Sequence, residues 1–121
     1  MSNWEQLSIG QKITRILEDV SLPKEHHFED FGRPFLTVYQ IAIEFEKRYP
    51  EDAKVLRENG DFIYRYFANE LSQRIKNKTI SHIEPAWLSA QSIQEIAFHY
   101  GEPGQGNLRM EGFSMFRLRR D

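Results

Sequence analysis

Residues 34–49 read Pro-Phe-Leu-Thr-Val-Tyr-Gln-Ile-Ala-Ile-Glu-Phe-Glu-Lys-Arg-Tyr, and this stretch decides the expected fold. Its polar side chains recur every three or four residues, which places them in one narrow stripe on a helix. They are Thr37, Gln40, Glu44, Lys47 and Arg48. Apart from Glu46 the remaining positions are mostly apolar, and a helix that is apolar nearly all round is buried on several sides. The pattern predicts that residues 35–48 form the central helix of a compact helical domain.

Three further segments carry apolar side chains at the spacing of amphipathic helices. In residues 62–76 these side chains recur every fourth position, at Ile63, Phe67, Leu71 and Ile75. The same periodicity predicts helices at 9–20 and 93–100, and Pro50 followed by an acidic turn predicts a short helix at 51–58. We expect the central helix to pack against the helices at 9–20, 62–76 and 93–100.

Capping boxes suggest where some of these helices begin. In a capping box, a Ser or Thr at the N-cap is followed three residues later by Glu or Gln. The sequence has this pattern at Ser2 with Glu5, Ser8 with Gln11 and Ser92 with Glu95. The boxes predict helices that begin directly after each serine.

The C-terminal segment changes character. From Leu108 to Arg119 apolar and charged side chains largely alternate, which predicts a strand or hairpin arm. Phe113 and Met115 fall on the charged side, so either both faces are covered or a bulge near Gly112 shifts the register. Residues 79–87 are ambiguous, since they fit either a short strand or a helical turn opened by a proline.

These segments together predict a mainly α fold. We expect a compact single-domain bundle of four or five helices with a short C-terminal β strand or hairpin. The domain spans residues 1–121, and residues 101–121 form a glycine-rich turn and β arm. As a whole, the chain shows no resemblance to a well-known family.

Composition excludes several classes of function. The 121 residues contain no cysteine, which excludes disulfides, thiolate catalysis and cysteine-bound zinc. A net charge of −2 gives no global attraction to nucleic acid or to acidic lipid. No signal peptide and no apolar stretch of membrane-spanning length is visible, so we expect a cytoplasmic protein without a membrane partner.

The histidines do not form a recognisable site. His26 and His27 are adjacent, and neighbouring side chains in an extended segment point to opposite sides. His82 and Glu84 would share a face of a strand, but two ligands do not make a zinc site. His99 precedes a glycine-rich loop at 101–107 that lacks the Gly-Lys-Ser/Thr of a phosphate-binding loop. We assign no catalytic, cofactor-binding or metal residue, and keep an enzyme acting through His99 only as a third hypothesis.

Residues 92–101, Ser-Ile-Gln-Glu-Ile-Ala-Phe-His-Tyr-Gly, resemble the first helix and turn of a helix-turn-helix motif. The resemblance implies a recognition helix directly after Gly101. Pro103, Gly104 and Gly106 make such a helix poor. A winged variant, with residues 108–119 as the wing, would keep a nucleic-acid-binding function open.

Arginine and aromatic residues are interleaved near the C-terminus. The candidate contacts with a partner or with nucleic acid are Arg109, Phe113, Phe116, Arg117, Arg119 and Arg120. Both residue types are common at protein interfaces and in nucleic-acid sites. Our leading interpretation is a small non-catalytic binding module that associates with itself or with a protein partner, docking its C-terminal arm by strand addition. The alternative is a winged helix-turn-helix-like regulator that binds nucleic acid.

Overall fold

The computed structural model describes residues 2–20, 32–60, 62–98 and 112–120. Within these ranges the helices are α1 (Asn3–Gln6), α2 (Ile9–Asp19), α3 (Val38–Arg48), α4 (Pro50–Arg57) and α5 (Ile63–Lys76). The strands are β1 (Leu36–Thr37), β2 (Ile83–Ser89) and β3 (Gly112–Leu118). They form an antiparallel sheet in the order β1-β3-β2.

The predicted fold class, a mainly α bundle with a short C-terminal strand or hairpin, is wrong. Helices hold 51% and the three-stranded sheet 17% of the described residues, so the fold is mixed α and β. The main missed element is β2, which begins in the ambiguous region 79–87, includes Pro85 and ends at Ser89. Along its whole length β2 pairs with β3, from Ile83 opposite Leu118 to Ser89 opposite Gly112. This long-range pairing, which no local periodicity reports, makes the segment a strand.

The register of β2 and β3 also decides between the two explanations offered for the irregular alternation near the C-terminus, a bulge or two covered faces. It runs continuously from Gly112 to Leu118, without a bulge. Phe113 and Phe116 have opposite parity on β3, yet both are fully buried. Both faces of β3 are therefore covered at these positions, because Phe113 and Phe116 both pack in the core cluster.

The central helix begins later than predicted. Residues Leu36 and Thr37 belong to β1, and Thr37 caps α3 with a full capping box. The Gln40 backbone N–H donates to Thr37 Oγ1 at 3.3 Å, and the Thr37 N–H donates to Gln40 Oε1 at 2.8 Å. This exchange satisfies two backbone N–H donors at the helix start, and it fixes the change from strand to helix at Val38.

Helices α1 and α2 begin directly after Ser2 and Ser8, as predicted, but the three predicted capping boxes do not form. Neither Ser2 nor Ser8 makes a capping hydrogen bond through its side chain. Ser8 and Ser92 have left-handed backbones, with φ of 53° and 66°, whereas an N-cap residue is normally extended. Residues 93–98 contain no helix, so the predicted helix at 93–100 is wrong over its described part.

The core is built around α3, as the periodicity predicts. Helix α3 contacts α2 and α5, which confirms two of the three expected packing partners. Phe45 of α3 and Phe67 of α5 meet edge to face, with ring centroids 5.0 Å apart. Tyr39 joins the helices to the sheet, because its ring lies 5.9 Å from that of Phe113 and 5.4 Å from that of Phe98. Buried side chains from α1 through β3 form one cluster.

Candidate partner-binding surface

The two aromatic residues predicted to contact a partner lie inside the core. Phe113 is 0% and Phe116 1% exposed. Phe113 packs against Tyr39, and Phe116 lies opposite Leu36 of β1. Their rings therefore pack inside the core and are not exposed at the surface for stacking on a partner.

The C-terminal arginines hold one end of the sheet together. Arg117 lies directly opposite Glu84 across the strands, and its Nε donates to that carboxylate. The Arg117 guanidinium also lies 4.2 Å from the centre of the Phe35 ring, and its Nη1 donates to the Arg33 carbonyl oxygen at 3.3 Å. Arg119 donates from Nε to the Ser81 carbonyl oxygen at 2.9 Å. These contacts tie β2, β3 and the approach to β1 into one unit.

Of the other residues singled out in the sequence, the structure describes some and not others. Arg120 is exposed beyond the end of β3. Arg109, His26, His27, His99 and the loop at 101–107 lie outside the described residues. Within the described ranges no three His, Asp or Glu side chains come together as a metal site would require. His82 and Glu84 have separate partners, Thr14 and Arg117 respectively.

Strand β2 lies at one side of the sheet, and hydrogen-bond parity shows which of its backbone groups face outward. The Arg119 N–H donates to the His82 carbonyl oxygen at 2.8 Å, so even-numbered residues bond to β3 in this register. The N–H and C=O groups of Ile83, Pro85, Trp87 and Ser89 therefore point away from β3. Ile83 is fully buried, whereas the other three are exposed.

Proline suits this position because its ring has no N–H to donate. In a sheet, proline occurs at edges, where the missing donor faces outward. Pro85 falls on an outward-facing position of β2, so no ladder bond to β3 is lost. The outward backbone groups available near the far end of β2 are those of Trp87 and Ser89, together with the Pro85 carbonyl oxygen.

Trp87 is the most exposed of the large hydrophobic side chains in the described ranges, at 70%. Its indole nevertheless has a defined position, because it lies on the backbone of Gly112 in the neighbouring strand. Pro85 and Ser89 flank it on the same face of β2, and Ser114 lies opposite it on β3. We call Pro85, Trp87, Ser89 and Ser114 the β2 surface. It carries no charged side chain.

Sequence reasoning did not identify the β2 surface. Trp87 was visible only as the end of an ambiguous segment. The usable signal was Pro85, because a proline inside a short apolar run indicates an edge strand. Every second residue after it then faces the same way, which selects Trp87 and Ser89.

Among the described residues two tyrosines, Tyr39 and Tyr66, have raised pKa values, and neither belongs to the β2 surface. Burial, with a smaller contribution from the nearby Tyr64, raises the pKa of the Tyr39 hydroxyl. Burial and then Glu70 raise the pKa of Tyr66, while a hydrogen bond with the Trp4 backbone and the charge of Arg74 oppose the rise. Both groups stay protonated at neutral pH.

Comparisons with known proteins add no family to this description. Neither the protein-family models, nor the curated proteins, nor the solved structures gave a match to this chain. Of the helices in the described ranges, none combines the length and apolar character needed to cross a bilayer.

Proposed function

We propose that this protein is a cytoplasmic binding module that docks an extended, uncharged segment of a partner protein on the β2 surface. The observation that carries the proposal is the 70% exposure of Trp87 on a strand whose backbone groups at Trp87 and Ser89 point away from β3. Tryptophan is among the residues that dominate binding energy at protein interfaces. An added strand would use backbone hydrogen bonds for affinity and the indole for specificity.

Pro85 limits how the partner binds. Because it offers no outward N–H, a long continuous ladder along β2 is interrupted at that point. We therefore expect the docked segment to be short, to pair with Trp87 and Ser89, and to place an apolar side chain against the indole. The C-terminal arm is not the docking element in this proposal, since β3 is already paired on both sides.

A random linear peptide library selected on the full chain tests the proposal. Selected peptides should bind the wild type, and Trp87→Ser should weaken them about tenfold or more. Phe62→Ser is the matched control, because Phe62 is another exposed aromatic residue, at 43%. Hydrogen exchange of the Trp87 and Ser89 amides should slow in the complex.

The salt dependence separates protein docking from nucleic-acid binding. Docking on an uncharged surface should change little with salt, whereas affinity for nucleic acid falls steeply. The proposal fails if no selected peptide depends on Trp87. If the wild type forms a dimer that Trp87→Ser dissociates, the occupant of the β2 surface is a second copy of this chain.

A further inference from the structure

A concavity lies on another part of the molecule and shares no residue with the β2 surface. It has a volume of about 390 Å³ and lies between α1, α2 and the end of α5. This volume is within the range of small-molecule sites, roughly 300–1,000 Å³. We call it the Trp4 groove, and its lining residues are Trp4, Gly10, Gln11, Thr14, Arg74, Thr79, Ile80 and His82.

The end of α5 builds one wall of the Trp4 groove. The Thr79 N–H donates to the Arg74 carbonyl oxygen at 2.9 Å, and the Lys78 N–H donates to that of Ile75 at 3.1 Å. With Lys78 in the left-handed region, at φ 64°, these bonds form a Schellman C-cap. The cap turns the chain back sharply and places Thr79 and Ile80 beside Arg74.

Trp4 supplies a buried donor to the groove. Its side chain is only 6% exposed, and its Nε1 lies on the side that faces Gly10. Among the described residues nothing accepts the Nε1 hydrogen. A buried N–H without an acceptor is costly, so this donor favours a ligand that brings an acceptor. Gly10 lies close beside this donor: a Cβ there would lie 3.3 Å from Nε1, so a larger residue at position 10 would crowd the space next to it.

Arg74 adds a positive charge next to this donor. Its guanidinium lies over the Trp4 ring, 4.9 Å from the centroid, and its Nε donates to Glu70 Oε2 at 3.3 Å. The Glu70 contact is made through Nε, so it does not use the Nη hydrogens of Arg74. Because Glu70 offsets part of the charge, the site suits a monoanion better than a dianion.

The opposite wall is fixed by a hydrogen-bond chain. Thr14 Oγ1 donates its single proton to the Gly10 carbonyl oxygen at 2.9 Å. The same oxygen lies 2.8 Å from His82 Nε2, so it accepts from an Nε2–H. This assigns the tautomer of a neutral His82 and holds the ring against α2.

We propose that the Trp4 groove binds a carboxylate, which accepts hydrogen bonds from Trp4 Nε1 and the Arg74 Nη atoms. Planar carboxylates suit a guanidinium fork, and the apolar Ile80 side chain beside it suits a ligand with an attached apolar group. The carboxylate has two sources, a small free acid or the C-terminus of a peptide.

The test follows the indole N–H signal of Trp4 by NMR, with Trp87→Phe to assign the two indoles. Benzoate should shift the Trp4 signal, and benzyl alcohol and inorganic phosphate should not. A short peptide with a free C-terminus, compared with its amidated form, distinguishes the two sources. Tighter binding of the free-terminus peptide than of benzoate identifies a peptide terminus, and the reverse order identifies a small acid.

Two variants make the result specific to the groove. Arg74→Met keeps an apolar side chain over Trp4 and should weaken benzoate about tenfold or more. Gly10→Ala should do the same, because its methyl group crowds Nε1. Alanine favours the helix, and the free energy of unfolding of the variant checks that the fold is kept. Arg65→Met is the matched control, since Arg65 also lies over an aromatic ring, that of Phe62. Failure of benzoate to move the Trp4 signal, equal shifts with phosphate, or unchanged affinity in both groove variants would overturn the proposal.

Discussion

A Cβ built on Gly112 would lie 2.9 Å from Cε3 of Trp87 and 2.7 Å from the carbonyl oxygen of Leu88. The indole therefore covers a position where the neighbouring strand has no side chain. An aromatic ring laid over a glycine in an adjacent strand shields the exposed backbone and compensates for the missing side chain. This contact gives the Trp87 ring a packing partner although most of its surface faces solvent.

Gly112→Ala should destabilise the fold. The closest clash is with a backbone oxygen, which cannot move aside as a flexible side chain can, so we expect a loss of about 1–3 kcal/mol in the free energy of unfolding. Urea unfolding followed by tryptophan fluorescence measures it. In a Trp87→Ala background most of the loss should persist. A loss that disappears there would assign the clash to the indole instead.

Whether a position of β2 tolerates proline should depend on whether its backbone N–H bonds to β3 or points away from it. Ala86→Pro removes an N–H that faces Met115 on β3. Leaving the Met115 carbonyl oxygen unpaired should cost about 1–3 kcal/mol. Ser89→Pro removes only an outward-facing donor. Ser89 Oγ also accepts from the Gln91 N–H at 3.1 Å, so Ser89→Ala is the proper reference for it. Two losses in the free energy of unfolding are compared: that of Ser89→Pro relative to Ser89→Ala, and that of Ala86→Pro relative to the wild type. If the two losses are equal, the assignment of inward and outward N–H groups on β2 is wrong.

Glu84 should contribute more to stability than an ordinary surface carboxylate. It is paired with Arg117, and Arg119 Nη1 lies 3.5 Å from its second oxygen. Glu84→Gln should lower the free energy of unfolding by about 1 kcal/mol at low salt, and by less at high salt. Glu44→Gln is the matched control, because its partners Lys47 and Arg48 are on the same helix. Equal losses in the two variants would show that the cross-strand pair has no special role.

The raised pKa values of Tyr39 and Tyr66 predict a loss of stability at alkaline pH. Folding raises the pKa of Tyr39 and Tyr66 above the ordinary value of 10.0. Their contribution is fully present below pH 10.0 and is lost as the pH rises through the folded-state pKa, because the unfolded chain releases the protons first. Tyr39→Phe should therefore flatten the decline in stability above that pH. Unfolding curves at neutral and alkaline pH, with tyrosinate absorbance as the second probe, check this; an unchanged slope in the variant contradicts it.

Helix positions were largely predictable because helical periodicity is a local signal. The repeat of Ile63, Phe67 and Leu71 predicts a buried face, and all three residues are buried in α5. The start of α3 was harder to predict, since the Thr37 capping box lay inside a stretch that reads as continuous helix. The boxes at Ser8 and Ser92 failed because side-chain type does not determine backbone φ.

The candidate surfaces were not predictable in the same way. The arginine-aromatic alternation of β3 suggested an exposed arm, but packing against the rest of the core cluster buries Phe113 and Phe116. The Trp4 groove joins residues from positions 4, 10, 74 and 82. No spacing in the chain relates these positions, because the packing of α1 and α2 against the end of α5 brings them together.

The sequence by itself determined the buried faces of α2, α3 and α5, since each follows from side chains a few residues apart. Only the tertiary structure decided that residues 83–89 are a strand, that β3 is central, and that Trp87 is exposed while Phe113 is not. The physical reason is that strand pairing and burial depend on partners far along the chain. Ile83 finds its partner at Leu118, and Trp87 finds its support at Gly112.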